Sequence, residues 1–282
     1  MVPSTEYPGN VFYALVFFGF MALFIWSTAV RFRWFTRGKW INRFAEPFTR
    51  SIGLIPLLLG NARVARRKYW YSGILHSLIW WGFIVLQIRT LNFLMGGIHE
   101  DASLDSLLGD VYTGLRPVLD IFNILVIVGV LMAAWQRFVW RPKRMSLNID
   151  GWILLGLIGW LMVTDVMVNS AEIVLGADEG AKWSFLAYGL SELWQEIGFT
   201  GEAMEWFLVA SWYSHLVDFM VFLAYLPYSK HSHVLTIGPQ IFTRSLEPTG
   251  TLQPIADFEQ AESFGVGKLG DLTWKQMLDS YT

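Results

Sequence analysis

Long apolar runs alternate with short segments that are either basic or acidic, and this alternation predicts most of the architecture. Residues 11–30 form an almost unbroken apolar run of the ~20 residues that a spanning helix needs, followed at once by RFRWFTRGKW. Between Arg31 and Lys68 stand ten Lys or Arg against one acid, Glu46. Such an excess marks a cytoplasmic loop. Within it, residues 52–59 are apolar but broken by Gly53, Pro56 and Gly60, too short to cross and suited to the interface. A second span is predicted over 70–95, carrying His76 and Arg89. The loop after it holds Glu100, Asp101, Asp105 and Asp110, as expected outside. Residues 116–135 return and end in RFVWRPKR; residues 152–175 go out again, with Asp165 at mid-depth and Glu172 near the far end. Residues 177–205 contain six acids and one Lys, and 183–199 is amphipathic and aromatic, which predicts an external surface helix. The fifth span, 206–228, stops at Pro227 and Lys230. The expected fold is therefore all-α, a polytopic bundle of five transmembrane helices with the N-terminus outside and the C-terminus cytoplasmic. Four or six spans would leave at least one loop with the wrong charge bias. Residues 1–238 form the membrane domain, and 239–282 a polar cytoplasmic tail with helical patterns near 255–264 and 272–280, too small to own a core.

Composition agrees. With 54% hydrophobic residues, fifteen Trp and a mean hydropathy of +0.41, the chain is too apolar for a soluble domain of 282 residues. The net charge of -2 conceals the segregation just described, so the basic residues mark topology and no nucleic-acid partner is expected. The absence of cysteine excludes disulfides, thiol catalysis and any iron-sulfur cluster held by this chain alone. The N-terminus, MVPSTEYPGN, has neither a basic leader region nor a small-residue cleavage site, so the first run is expected to be retained as a span.

The candidate chemistry centres on the stretch 212–234, WYSHLVDFMVFLAYLPYSKHSHV. On one continuous helix, His215 and His233, eighteen residues apart, would share a face and lie roughly 27 Å apart, near the thickness of a bilayer core. His231 would point about 200° away from His233. His99 lies in the external loop and is expected to be solvated. His76 and His233 both fall at the cytoplasmic end on different helices, where an iron porphyrin could be held between two neutral imidazoles, with Gly73 and Gly82 letting the flat ring approach. The alternative is that these histidines bond backbone or water among packed helices. In the outer half, Arg89, Asp120, Asp165 and His215 fall near one depth. They form either an ion-paired cluster that neutralises Arg89 or a quinone pocket whose carboxylates carry protons. Asp218, one turn from His215, is placed to orient its imidazole, and a pocket beside His231 and Lys230 at the other end is equally open.

His215, eleven residues, then PYSKHSH ending at His233 resembles the last helix of the respiratory nitrate reductase gamma subunit superfamily, a family of membrane cytochromes b, and GILHSLIWWGFIVL resembles its second helix. The likeness covers roughly residues 10–240. It is strongest to the membrane domain of heterodisulfide-reductase-type proteins, including electron-transfer flavoprotein:menaquinone oxidoreductases. The resemblance implies that His76 and His233 ligate a b haem on the cytoplasmic side and that His215 matches one ligand of an outer haem. The outer partner would lie ten residues after His76, where this chain has Leu86, so one haem is expected. Gln87 beside it is a poor ligand. The resemblance further implies menaquinone as substrate, a flavoprotein partner, a prokaryotic inner membrane, and an iron-sulfur domain following LTWKQMLDSYT; by their depth and spacing, Arg89, Asp165 and Asp218 are the quinone or proton candidates. The contrasting reading is a haem-free transporter or membrane anchor, against which stand the phased histidines and the lack of repeated halves.

Overall fold

The computed structural model describes residues 2–62, 64, 67–143, 145, 147–176, 179–248, 251 and 265–280. Helix α1 (Gly9–Phe32) runs into a tight turn, Arg33–Arg37, and α2 (Pro47–Leu54) is prolonged by the wider turn Ile55–Leu59. Then come α3 (Trp70–Ile98), α4 (Leu104–Leu108), α5 (Asp110–Trp135), α6 (Ile149–Val174), α7 (Phe185–Glu196), α8 (Glu202–Tyr225), α9 (His233–Phe242) and α10 (Trp274–Ser280). Among the described residues five helical segments, built on α1, α3, α5, α6 and α8, are long and apolar enough to cross a membrane, as the apolar runs predict. The expected surface helix is α7, and α10 fills the second helical pattern of the tail; the first, 255–264, lies outside the described residues. Helix α5 starts six residues earlier than expected. Gly109 at φ +50° makes the turn from α4, and Asp110 in the first turn complements the helix dipole.

The fifth span stops at Pro227, as the sequence predicts, because proline has no N–H to give to the ladder, so the continuous helix assumed for the shared face of His215 and His233 does not form. The chain passes instead through two short 3-10 turns, Leu226–Tyr228 and Lys230–Ser232. Ser229 accepts the His231 amide at 3.1 Å, and a new helix begins at His233. The shared helical face of His215 and His233 is thereby lost.

The chain divides into two compact units, Met1–Phe24 with Val64–Tyr225 and Ile25–Arg63 with Leu226–Thr282, the boundary falling within α1. In the first unit α3 packs on α5, and α6 packs on both α7 and α8. In lipid, helices gain little from apolar burial and associate through close packing and interhelical hydrogen bonds. Both are present. A Cβ on Gly82 would collide with Val126 Cγ2, and one on Gly129 would meet Ile79 at 2.9 Å. Gly82→Ala is therefore expected to destabilise the protein by ~1–3 kcal/mol through overpacking, and Val126→Ala added to it should recover most of that loss. Thermal unfolding in detergent of the single and double variants measures both. A buried cluster of Tyr13, Val168, Ala171, Met204, Leu208, Trp212, Leu216 and Met220 fills the interior. The N-terminal segment is tied in by Ser4 Oγ to the Gly97 carbonyl at 2.7 Å and Tyr13 Oη to the Leu94 carbonyl at 2.8 Å.

In the second unit α2 packs against α9. Buried Arg50 donates to the carbonyls of Ala45 (2.6 Å), Phe242 (3.0 Å) and Arg244 (2.6 Å), a cation placed on the C-terminal end of α9. The tail is docked by backbone: Lys39 N donates to Leu272 O at 2.8 Å and Trp274 N to Lys39 O at 3.1 Å. Trp274 stacks on Trp40 and Phe44, and its indole donates to Ile41 O at 2.9 Å.

Candidate functional site

Three helices of the first unit each bring one charge to the same place. Arg89 on α3 donates from Nη1 to Asp165 Oδ2 on α6 at 2.6 Å and from Nη2 to Asp120 Oδ1 on α5 at 2.9 Å. All three residues are buried. The remaining acceptors are met as well. Asn123 Nδ2 donates to Asp165 Oδ2 at 2.9 Å, Asn169 Nδ2 reaches Asp165 Oδ1 at 3.4 Å, and the backbone amide of Leu186, in the first turn of α7, donates to Asp120 Oδ2 at 2.8 Å. Every oxygen of the two carboxyl groups thus has an N–H donor inside the protein. Of the two readings open from sequence, the ion-paired cluster is the one the geometry displays; it binds α3, α5, α6 and the surface helix α7 together.

His215 lies against this cluster, bonded to the neighbour of Asp165. Its Nδ1 is 2.8 Å from Thr164 Oγ1, which itself stands 2.8 Å from Trp160 O and 3.2 Å from Leu161 O. The hydroxyl has one proton, and in a helix it goes back to a carbonyl one turn earlier. The imidazole must then be the donor, with its proton on Nδ1 and its lone pair on Nε2. Phe93 packs edge-on against the ring at 4.7 Å between centroids. Thr164, not Asp218, therefore orients His215, a correction to the expectation from helical spacing. Asp218 lies three residues on, rotated about 60° around the helix from the His215 direction. It is 8% exposed, and its Oδ2 has no hydrogen-bond partner among the described residues. It lines a groove of about 490 Å³ between α6 and α8, together with Leu157, Trp160, Tyr213, Ser214, Val217 and Val221. The three quinone or proton candidates are thus divided, Arg89 and Asp165 in the ion-paired cluster and Asp218 in the groove.

His76 sits half-buried on α3 in the first unit, and His233 opens α9 in the second. His233 Nδ1 is 2.8 Å from the Lys230 carbonyl. A carbonyl only accepts, so here too the proton is on Nδ1 and the lone pair on Nε2, the tautomer that metal-ligating histidines adopt when a carbonyl orients them. This donor chemistry fits haem iron. Gly82 does not serve the ring as expected, because the space beside it belongs to Val126. His231 lies beside His233, with ring centroids 5.5 Å apart, and His99 is exposed at the end of α3. Leu86 is buried in the core, and the amide of Gln87 donates to Phe83 O of its own helix at 3.1 Å.

Sequence reasoning missed Asn123, Thr164, Asn169 and the Leu186 amide. The two asparagines were detectable: Asn123 follows Asp120 by three residues and Asn169 follows Asp165 by four, the spacings that put polar groups on one helix face.

Two curated proteins are similar to this chain. A probable iron-sulfur-binding oxidoreductase, FadF of Bacillus subtilis, is 28% identical over 263 residues, 92% of this chain and 36% of the relative. An EtfAB:quinone oxidoreductase of Syntrophomonas wolfei is 29% identical over 231 residues, 78% of this chain and 31% of the relative. The chain spans about a third of the length of these relatives. No family model and no solved structure matches it.

Proposed function

We propose that this chain is the membrane module of an electron-transfer oxidoreductase, a cytochrome b unit that moves electrons between a cytoplasmic iron-sulfur or flavoprotein partner and the menaquinone pool. Its N-terminus lies outside and its C-terminus inside, the orientation that the loop charges favour, and the membrane is taken as the plasma (inner) membrane of a prokaryote after the organisms of the two relatives. His76 and His233 hold one b haem, and the polar tail leads to the iron-sulfur partner, since no cysteine of this chain can hold a cluster. The observation that carries the reading is the similarity, along 92% and 78% of this chain, to proteins named as an iron-sulfur-binding oxidoreductase and an EtfAB:quinone oxidoreductase. The Nδ1 proton of His233, held by the Lys230 carbonyl, supports the ligand assignment. The haem, when bound, supplies a one-electron carrier. The chain's own contribution is to present two imidazoles, that of His233 with its proton on Nδ1 and its lone pair on Nε2.

A pyridine haemochrome spectrum of the purified protein, normalised to protein, tests this reading. One haem per chain is expected, because Leu86 stands where an outer haem would need its second histidine. Two haems would refute the count, and none would refute the cytochrome in favour of a transporter or anchor.

A further inference from the structure

Resting on the quinone-linked function just proposed, we infer that the groove between α6 and α8 is the seat of the quinol ring and that Asp218 accepts its hydroxyl. Asp218 is a carboxyl group on a membrane-spanning helix, 8% exposed, with no hydrogen-bond partner among the described residues for Oδ2. Such a group is costly where water is absent and marks a functional position when nothing in the protein satisfies it. The contrast with Asp120 and Asp165 is internal to the same unit: their oxygens all have donors, whereas Oδ2 of Asp218 has none among the described residues. Asp218 lines a space of about 490 Å³, within the range that holds one ring-sized ligand.

The lining defines the ligand's chemistry. Leu157, Val217 and Val221 make it apolar, Trp160 and Tyr213 offer flat faces, and Asp218 is its one acid. Trp160 is 46% exposed at the rim, and its indole is fixed by donation to Ser214 Oγ at 2.9 Å. Tyr213 packs against Phe12 of α1 and donates to Pro3 O at 3.0 Å, so the groove opens among spanning helices. An anionic headgroup would find no cation in the lining, and an acyl chain would leave the carboxyl unanswered. A neutral, lipid-dissolved aromatic ring with an O–H to donate satisfies both the apolar walls and the acid. Its O–H donates to the carboxyl oxygen that no other group among the described residues satisfies.

The test uses the full chain in lipid nanodiscs, titrated with the fluorescent quinol analogue heptylhydroxyquinoline N-oxide, whose emission is quenched on binding. Asp218→Leu removes the acceptor, and Leu157→Trp fills the groove. Each is expected to weaken binding by roughly fivefold or more, the size of one lost hydrogen bond, while the reduced haem band stays intact. Binding by both variants equal to that of the parent protein would overturn the site and leave the quinone-linked function standing. Loss in Leu157→Trp alone would overturn the role of Asp218, and no binding by the parent would overturn site and function together. A photoreactive azidoquinone on the parent protein gives a reading independent of any variant: labels within 157–160 or 213–221 support the site, and labels confined elsewhere overturn it.

Discussion

Replacing either His76 or His233 by alanine is expected to abolish the b-type absorption band of the dithionite-reduced protein. If His76 and His233 together hold the haem, either substitution removes one of its two protein ligands, and a methyl group offers none in return. The two substitutions should act alike although the residues differ in setting, His76 inside α3 and His233 at the start of α9. His231→Ala is the control that separates ligand from neighbour. Its ring lies 5.5 Å from that of His233, so general damage to this turn would strike both, whereas loss of a ligand strikes only His233. His215→Ala should retain the band, since its expected partner position is Leu86. Full haem in both the His76 and the His233 variants would remove the ligand assignment altogether.

Arg89→Leu is expected to be the most damaging single change to stability, on the order of 3–5 kcal/mol, the range for breaking a buried ion pair by removing one partner. The cost arises from what is left behind, two buried carboxyl groups with their N–H donors reduced to Asn123, Asn169 and the Leu186 amide. The triple variant Arg89→Leu with Asp120→Asn and Asp165→Asn should recover much of the loss, because amides carry no charge to desolvate. Non-additivity of this kind is what a shared cluster requires. Denaturant unfolding in micelles measures it. The haem band of the folded fraction should be unchanged by Arg89→Leu, and a variant as stable as the parent would show that the cluster bears no structural load.

The features legible in the sequence are those set by a constraint acting along one helix. Spans needed about twenty apolar residues and basic or acidic loops, and both were written locally. The common depth of Arg89, Asp120, Asp165 and His215 followed from a constant rise per residue in helices that are regular throughout that region. What failed depended on something outside the helix considered. Gly82 reads as open space until α5 puts Val126 against it. Asp218 reads as a partner for His215 until the rotation of α8 turns it to the groove and Thr164, from another helix, takes the imidazole. The phase relation between His215 and His233 assumed a ladder that a single proline interrupts at position 227. The docking of α10 on the segment around Lys39 joins residues over two hundred positions apart; its backbone bonds leave no side-chain signal, and the stack of Trp274 on Trp40 and Phe44 has no local periodicity to announce it.

The bond from Asp120 to the amide of Leu186 has a further consequence for how this chain can change over time. The carboxylate grips a main-chain group that every residue except proline possesses. Drift at position 186 is therefore invisible to the tether, and α7 can vary in side chain while remaining moored. Inheritance of the contact rests on Asp120 alone, and the only mutation at 186 that cuts the mooring is the one to proline.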